Sequence, residues 1–141
     1  LGYQLKLAQE NGFNGKLQTL GENLLIELDE LLAEASPLAS LLHGDLWSGN
    51  YAFDGSGNPV IFDPAVYYGD RETDMAMTEL FGGFPADFYS AYRHEYPLDS
   101  GYNTRKIVYN LYHILNHLNL FGSSYRRQAE QMMGFLLAEI R

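Results

Sequence analysis

The chain contains no cysteine, a single tryptophan and only nine lysines and arginines among its 141 residues. Without cysteine there can be no disulfide scaffold, no thiolate metal site and no cysteine nucleophile. The nine basic residues face eighteen acidic ones, for a formal charge of −9. That balance argues against a nucleic-acid partner, which needs clustered Lys and Arg on one face. No apolar run long enough to cross a bilayer is visible, and no signal peptide, so no membrane partner is expected. Together with the missing cysteines, this fits a cytoplasmic protein. Internal repeats and low-complexity linkers are also lacking. What is abundant is aromatic material for a core and for pocket walls, with eleven Tyr and eight Phe. The length suffices for one domain with a proper core, and residues 1–141 read as a single domain.

Hydrophobic periodicity gives a mainly helical α+β fold. Residues 1–10 read as a helix with Leu1, Leu5 and Ala8 on one face, broken by Asn11-Gly12 and Asn14-Gly15. Thr19 to Glu22 has the form of a capping box opening a second helix that carries Leu24, Leu28, Leu31 and Leu32 and ends at Ser36-Pro37. Leu41-Leu42-His43 reads as a short strand, and Tyr51-Ala52-Phe53 and Val60-Ile61-Phe62 as two more, joined by the turn Asp54 to Pro59. Helices are expected at 70–81, 85–96, 103–120 and 124–140, with Gly82-Gly83 and Gly122 as stops and Pro85 in a first turn.

The densest signal is His43-Gly44-Asp45-Leu46-Trp47-Ser48-Gly49-Asn50, followed by Asp63. An Asp and an Asn in the order H-x-D-x-x-x-x-N, with a second Asp beyond a short hairpin, match the polar parts of a kinase-like phosphotransferase site. In such a site Asp45 orients or deprotonates the attacking hydroxyl. Asn50 and Asp63 offer hard oxygens suited to Mg²⁺, too few for a protein-only cage, so nucleotide phosphates and water complete the shell. Gly44 stands where protein kinases carry Arg, and Asp63-Pro64-Ala65 replaces their DFG. This points to a small-molecule kinase. His43 reads as structural support. Trp47 can stack on a sugar or serve as a wall or core aromatic. Asp70 suits a helix cap, whereas Asp74 is a candidate to hydrogen-bond the catalytic-loop backbone. His113 and His117 have a metal-binding spacing but no third ligand, and read as satisfied helix histidines. Gly55-Ser56-Gly57 is a hairpin turn, and Tyr109, Tyr112, Phe121 and Tyr125 read as core.

HGDLWSGN, the following VIFDPAVYYGD, ELFGGF and the LNHLNLFG segment with YRRQAE resemble the fructosamine kinase (ketosamine kinase) family, a branch of the aminoglycoside-phosphotransferase-like kinases. The resemblance implies the C-terminal lobe of a protein-kinase-like fold with a small β-hairpin at the active site. It also implies ATP and Mg²⁺ as cofactors and a small-molecule or protein-bound ketosamine as substrate, phosphorylation of which promotes deglycation. A strand-borne Lys, its helix Glu and a covering loop lie upstream in such kinases, yet Lys6 and Lys16 are the only lysines before His43. The resemblance therefore implies a missing N-terminal lobe in cis, a fragment that is a poor enzyme alone, and self-association through the uncovered surface. A kinase for another small alcohol, such as an aminoglycoside or choline, and a non-catalytic binding module are the rival readings.

Overall fold

The computed structural model describes residues 1–33, 35 and 37–140. In chain order the elements are α1 (Gly2–Glu10), α2 (Lys16–Leu32), β1 (Ser40–Leu42), β2 (Tyr51–Phe53), β3 (Pro59–Ile61), β4 (Tyr67–Gly69), α3 (Glu72–Leu80), α4 (Ala86–Glu95), α5 (Tyr102–Phe121) and α6 (Arg126–Glu139). They form two compact units, one of residues 1–34 and 103–141 and one of residues 35–102. No helix among the described residues is long and apolar enough to cross a membrane.

The first unit is all helix. Val108, Leu111, Ile114, Leu115 and Leu118 recur at helical spacing along α5, and Ala129, Met133 and Leu136 do so along α6; all eight are buried. Buried Gly21 of α2 lies so close to Leu5 of α1 that a Cβ there would stand 2.6 Å from Leu5 Cδ2. A polar seam joins α1 to α5. Gln4 Nε2 donates to Asn116 Oδ1 (3.2 Å), and Asn119 Nδ2 donates to the Gln4 carbonyl (2.9 Å) and side-chain oxygen (2.8 Å). Buried Gln4 is thereby satisfied, as a desolvated amide must be.

The second unit carries two small antiparallel sheets. β1 pairs with β4 in the register Ser40↔Gly69, Leu41↔Tyr68, Leu42↔Tyr67. β2 pairs with β3, and Asp54 organises their turn by accepting the Ser56 and Asn58 N–H groups on Oδ1, both at 2.8 Å. The Asn58 amide and these two N–H groups hold the Asp54 carboxyl below its usual range. Arg71, just before α3, reaches the end of α4. Its guanidinium lies 3.7 Å from the Tyr96 ring centroid and donates to Tyr92 Oη and to the Tyr96 and Pro97 carbonyls. Burial, and a hydrogen bond donated to Glu79 at 2.7 Å, push the Tyr102 hydroxyl well above the ordinary tyrosine range.

Several expectations need correction. The second helix starts at Lys16 behind Gly15 (φ 74°), a turn before the supposed capping box, and the Thr19 hydroxyl turns back onto the Gly15 carbonyl at 3.4 Å. Its expected end at Ser36 lies outside the described residues. The three expected strands are displaced by up to one residue, and β4 was not anticipated. Pro85 caps α4 instead of lying in its first turn. Tyr112 and Phe121 are exposed, so the aromatic stretch of α5 is not core; Phe121, His117 and Tyr125 instead form a partly exposed cluster.

The buried face of α5 can be tested directly. Leu111→Ala should cost about 2–5 kcal/mol, whereas Tyr112→Ala on the exposed face should stay within about 0.5 kcal/mol. Urea unfolding midpoints of the two variants measure the difference.

Candidate active site

β1 delivers the chain to His43 and into a tight turn at Gly44 (φ 81°). A Cβ at Gly44 would stand 2.1 Å from the Ala65 carbonyl oxygen, so no other residue fits without moving that peptide. The two segments are joined here, the Ala65 N–H donating to the His43 carbonyl at 2.8 Å. The turn is held from the other side by Asp74 in the first turn of α3. One carboxylate oxygen accepts the His43 N–H at 2.7 Å and the other accepts the Gly44 N–H at 2.9 Å. These bonds are charge-assisted and constrain position as well as direction. Asp70 fixes the start of that helix by accepting the Glu72 N–H at 2.9 Å, the capping role its position suggested.

The His43 ring is buried and fully engaged. Its Nε2 lies 3.0 Å from the Phe62 carbonyl, which can only accept, so Nε2 carries the proton. Nδ1 is then the acceptor for the Asp45 N–H at 3.3 Å. The ring joins the His43–Asn50 loop to the segment before Asp63, as a supporting residue does, and offers no free nitrogen for proton transfer.

Asp45 and Asn50 are in direct contact. Asn50 Nδ2 donates to the Asp45 carbonyl (2.8 Å) and to its carboxylate Oδ2 (3.0 Å). Two acceptors on one side fix the amide orientation and leave Asn50 Oδ1 as an available oxygen donor. The Asn50 carbonyl accepts the Phe62 N–H at 3.1 Å, so Phe62 is tied to the loop through both its N–H and its carbonyl. Asp63 follows with φ 55°, the one non-glycine residue with positive φ among those described. A left-handed Asp is tolerated but costs about 1–3 kcal/mol, and it persists where neighbours over-determine the backbone. Here Phe62 and Ala65 supply that constraint. Asp63 itself is exposed, and no group of three or more His, Cys, Asp or Glu able to hold a metal occurs among the described residues.

Trp47 is 37% exposed, and its indole lies across Gly49, where a Cβ would be 2.3 Å from the ring. Ser48 Oγ donates to the Phe81 carbonyl at 2.8 Å, which joins the loop to the end of α3. That bond was not foreseen, and neither were the Arg71 clamp and the Tyr89 hydroxyl, which accepts the Phe84 N–H and donates to the Thr78 carbonyl. Outside this region, His117 Nδ1 donates to the His113 carbonyl at 2.8 Å, in keeping with a satisfied helix histidine.

Gly44→Ala should cost more than about 2 kcal/mol, since it combines the left-handed penalty with displacement of a bonded peptide. Gly57→Ala is the control. It has the same sign of φ (82°) but open space around its Cβ, and should cost about 1–2 kcal/mol. Thermal unfolding of the two variants separates the effects.

The fructosamine kinase family model matches residues 1–139. A probable ketoamine kinase of Synechocystis sp. is 54% identical over 133 residues, covering 94% of this chain and 44% of that protein. A chloroplastic protein-ribulosamine 3-kinase of Arabidopsis thaliana is 46% identical over 129 residues, covering 92% of this chain and 39% of that one. A solved Thermobifida fusca structure, provisionally named a fructosamine-3-kinase, superposes with a TM-score of 0.86 at 33% identity, over 96% of this chain and 47% of its own. The chain thus spans less than half the length of these relatives. The mainly helical fold with small sheets agrees with the expected C-terminal lobe of a kinase-like protein.

Proposed function

Because the chain belongs to the fructosamine kinase family, we propose that it is the C-terminal catalytic lobe of an ATP-dependent kinase that phosphorylates a sugar hydroxyl of ketosamines. The observation that carries this reading is the Asp45 carboxylate held against the Asn50 amide, in a loop bonded to the segment bearing Asp63. The sugar hydroxyl would give its proton to Asp45 as its oxygen bonds to the γ-phosphorus. The bond between that phosphorus and the β,γ-bridging oxygen breaks, and ADP leaves. In a loose transition state the proton moves late, so Asp45 contributes chiefly by orientation. Mg²⁺ fits the donor set, with Asn50 Oδ1 and the Asp63 carboxylate as its protein ligands. When bound, it would neutralise charge on the phosphates. Trp47 would form one wall of the sugar site, and His43 and Asp74 would hold the loop.

A kinase for an aminoglycoside or choline would use the same three polar residues. The ketoamine and ribulosamine names of the relatives favour a ketosamine substrate, free or protein-bound. Leu41, Val60, Ile61, Phe62, Tyr67 and Tyr68 are all exposed in the second unit. We assign these exposed apolar side chains to contacts with the N-terminal lobe that longer relatives have room for, and to self-association when that lobe is absent.

In the full-length protein, Asp45→Asn should lower kcat by orders of magnitude and leave nucleotide affinity nearly unchanged. Asp63→Asn keeps a residue suited to positive φ, so the backbone should survive while Mg²⁺-nucleotide binding weakens. Steady-state kinetics and calorimetry with ATP distinguish the two; near-normal turnover in both variants would contradict the assigned roles. Residues 1–141 alone should show no kinase activity, because half of the electrostatic clamp is missing.

A further inference from the structure

We propose that Asn14, in the turn between α1 and α2, is a modification site: its side-chain amide is lost to attack by its own main chain, leaving aspartate or isoaspartate, while Asn11 is spared. The chain has two Asn-Gly pairs, Asn11-Gly12 and Asn14-Gly15, and every other asparagine precedes a residue with a side chain. A following glycine has no Cβ to crowd the approach of its nitrogen to the asparagine side chain. By sequence the two pairs are therefore equals. The structure separates them.

Both reacting groups of the first pair are engaged. The Gly12 N–H donates to the Gln9 carbonyl at 2.9 Å, closing the end of α1, and Asn11 Nδ2 donates to Asn119 Oδ1 at 3.2 Å. Asn14 is exposed, and among the described residues neither its side-chain amide nor the Gly15 N–H makes a hydrogen bond. Gly15 has φ 74° and ψ −129°, with no atom within 4 Å of where its Cβ would stand. Its nitrogen can turn onto Asn14 Cγ without breaking a bond of its own.

In the step itself the Gly15 nitrogen gives its proton to solvent base and bonds to Asn14 Cγ. The bond from Cγ to the amide nitrogen breaks, and that nitrogen takes up a proton and leaves as ammonia. Water then opens the cyclic imide. Opening at Cγ gives aspartate, and opening at the main-chain carbonyl gives isoaspartate. Either product puts a carboxylate before the N-terminus of α2 and beside Arg126, whose Nη2 donates to the Asn14 carbonyl at 2.8 Å. The helix end and the guanidinium both favour negative charge there, so the fold accommodates it.

The test is peptide mapping of the full-length protein after incubation in native buffer and, in parallel, in urea. Trypsin with chymotrypsin cuts between the two pairs, after Phe13, and mass spectrometry reads the amide-to-acid mass gain in each peptide. The ratio of Asn14 to Asn11 conversion should be about fivefold or more higher in the native protein than in urea, the factor that one net hydrogen bond on Gly12 supplies. Asn14→Asp should unfold at or above the wild-type temperature. An equal or lower native ratio, or a native Asn14 that does not convert, would overturn the site. A lower unfolding temperature in Asn14→Asp would overturn the accommodation of its charge.

Discussion

Two adjacent N–H groups, those of His43 and Gly44, converge on the two oxygens of the Asp74 carboxylate, and the geometry of the loop depends on that arrangement. A loop rich in glycine has no side chains to define its path, so its shape must come from backbone hydrogen bonds. Asp74 supplies them from a helix, which is stiffer than another loop. Once the turn at Gly44 is set, the His43 ring faces Phe62 and the Asp45 N–H, and Asn50 closes on Asp45. Removing the carboxylate leaves two N–H groups without acceptors in a half-buried position, a cost of about 1–3 kcal/mol for each group.

The same bonds determine where Asp63 begins. Its left-handed backbone is retained because Phe62 is held at both ends of its peptide unit and Ala65 is bound to the His43 carbonyl. The strain therefore belongs to the candidate site and is maintained by the residues that form it. Thirteen positions separate Asp63 from Asn50 in the chain, and the β2–β3 hairpin returns the chain to Asn50 at Phe62, the residue before Asp63. Each bond in the network is modest alone, but together they leave the loop few alternative conformations.

What was legible in the sequence was what depends on local pattern. The 3.6-residue repeats of α5 and α6, the Asp54 turn and the H-x-D-x-x-x-x-N string each carry their signal within a few residues. The supporting role of Asp74 was legible as a possibility, because a buried loop needs an acceptor and Asp70 already served the cap. The remaining features depend on partners far along the chain. β4 is three residues long and stable only through its pairing with β1, so Tyr67-Tyr68-Gly69 alone gives no strand signal. The Ser48 bond to Phe81 and the Arg71 stack on Tyr96 span 33 and 25 positions. The capping-box reading at Thr19 failed because Gly15, able to take positive φ, started the helix one turn earlier. Tyr112 and Phe121 misled because aromatic character does not say which face of a helix is buried.

The most direct measurement is residue-resolved amide hydrogen exchange in the full-length protein, in wild type and in Asp74→Asn, read beside turnover. The account predicts that the His43 and Gly44 amides are strongly protected in wild type. In Asp74→Asn the Gly44 and His43 protection should fall, and kcat should fall with it, while the core amides of α5 exchange as before. Unprotected His43 and Gly44 amides in wild type, or full activity in a variant that has lost their protection, would contradict it.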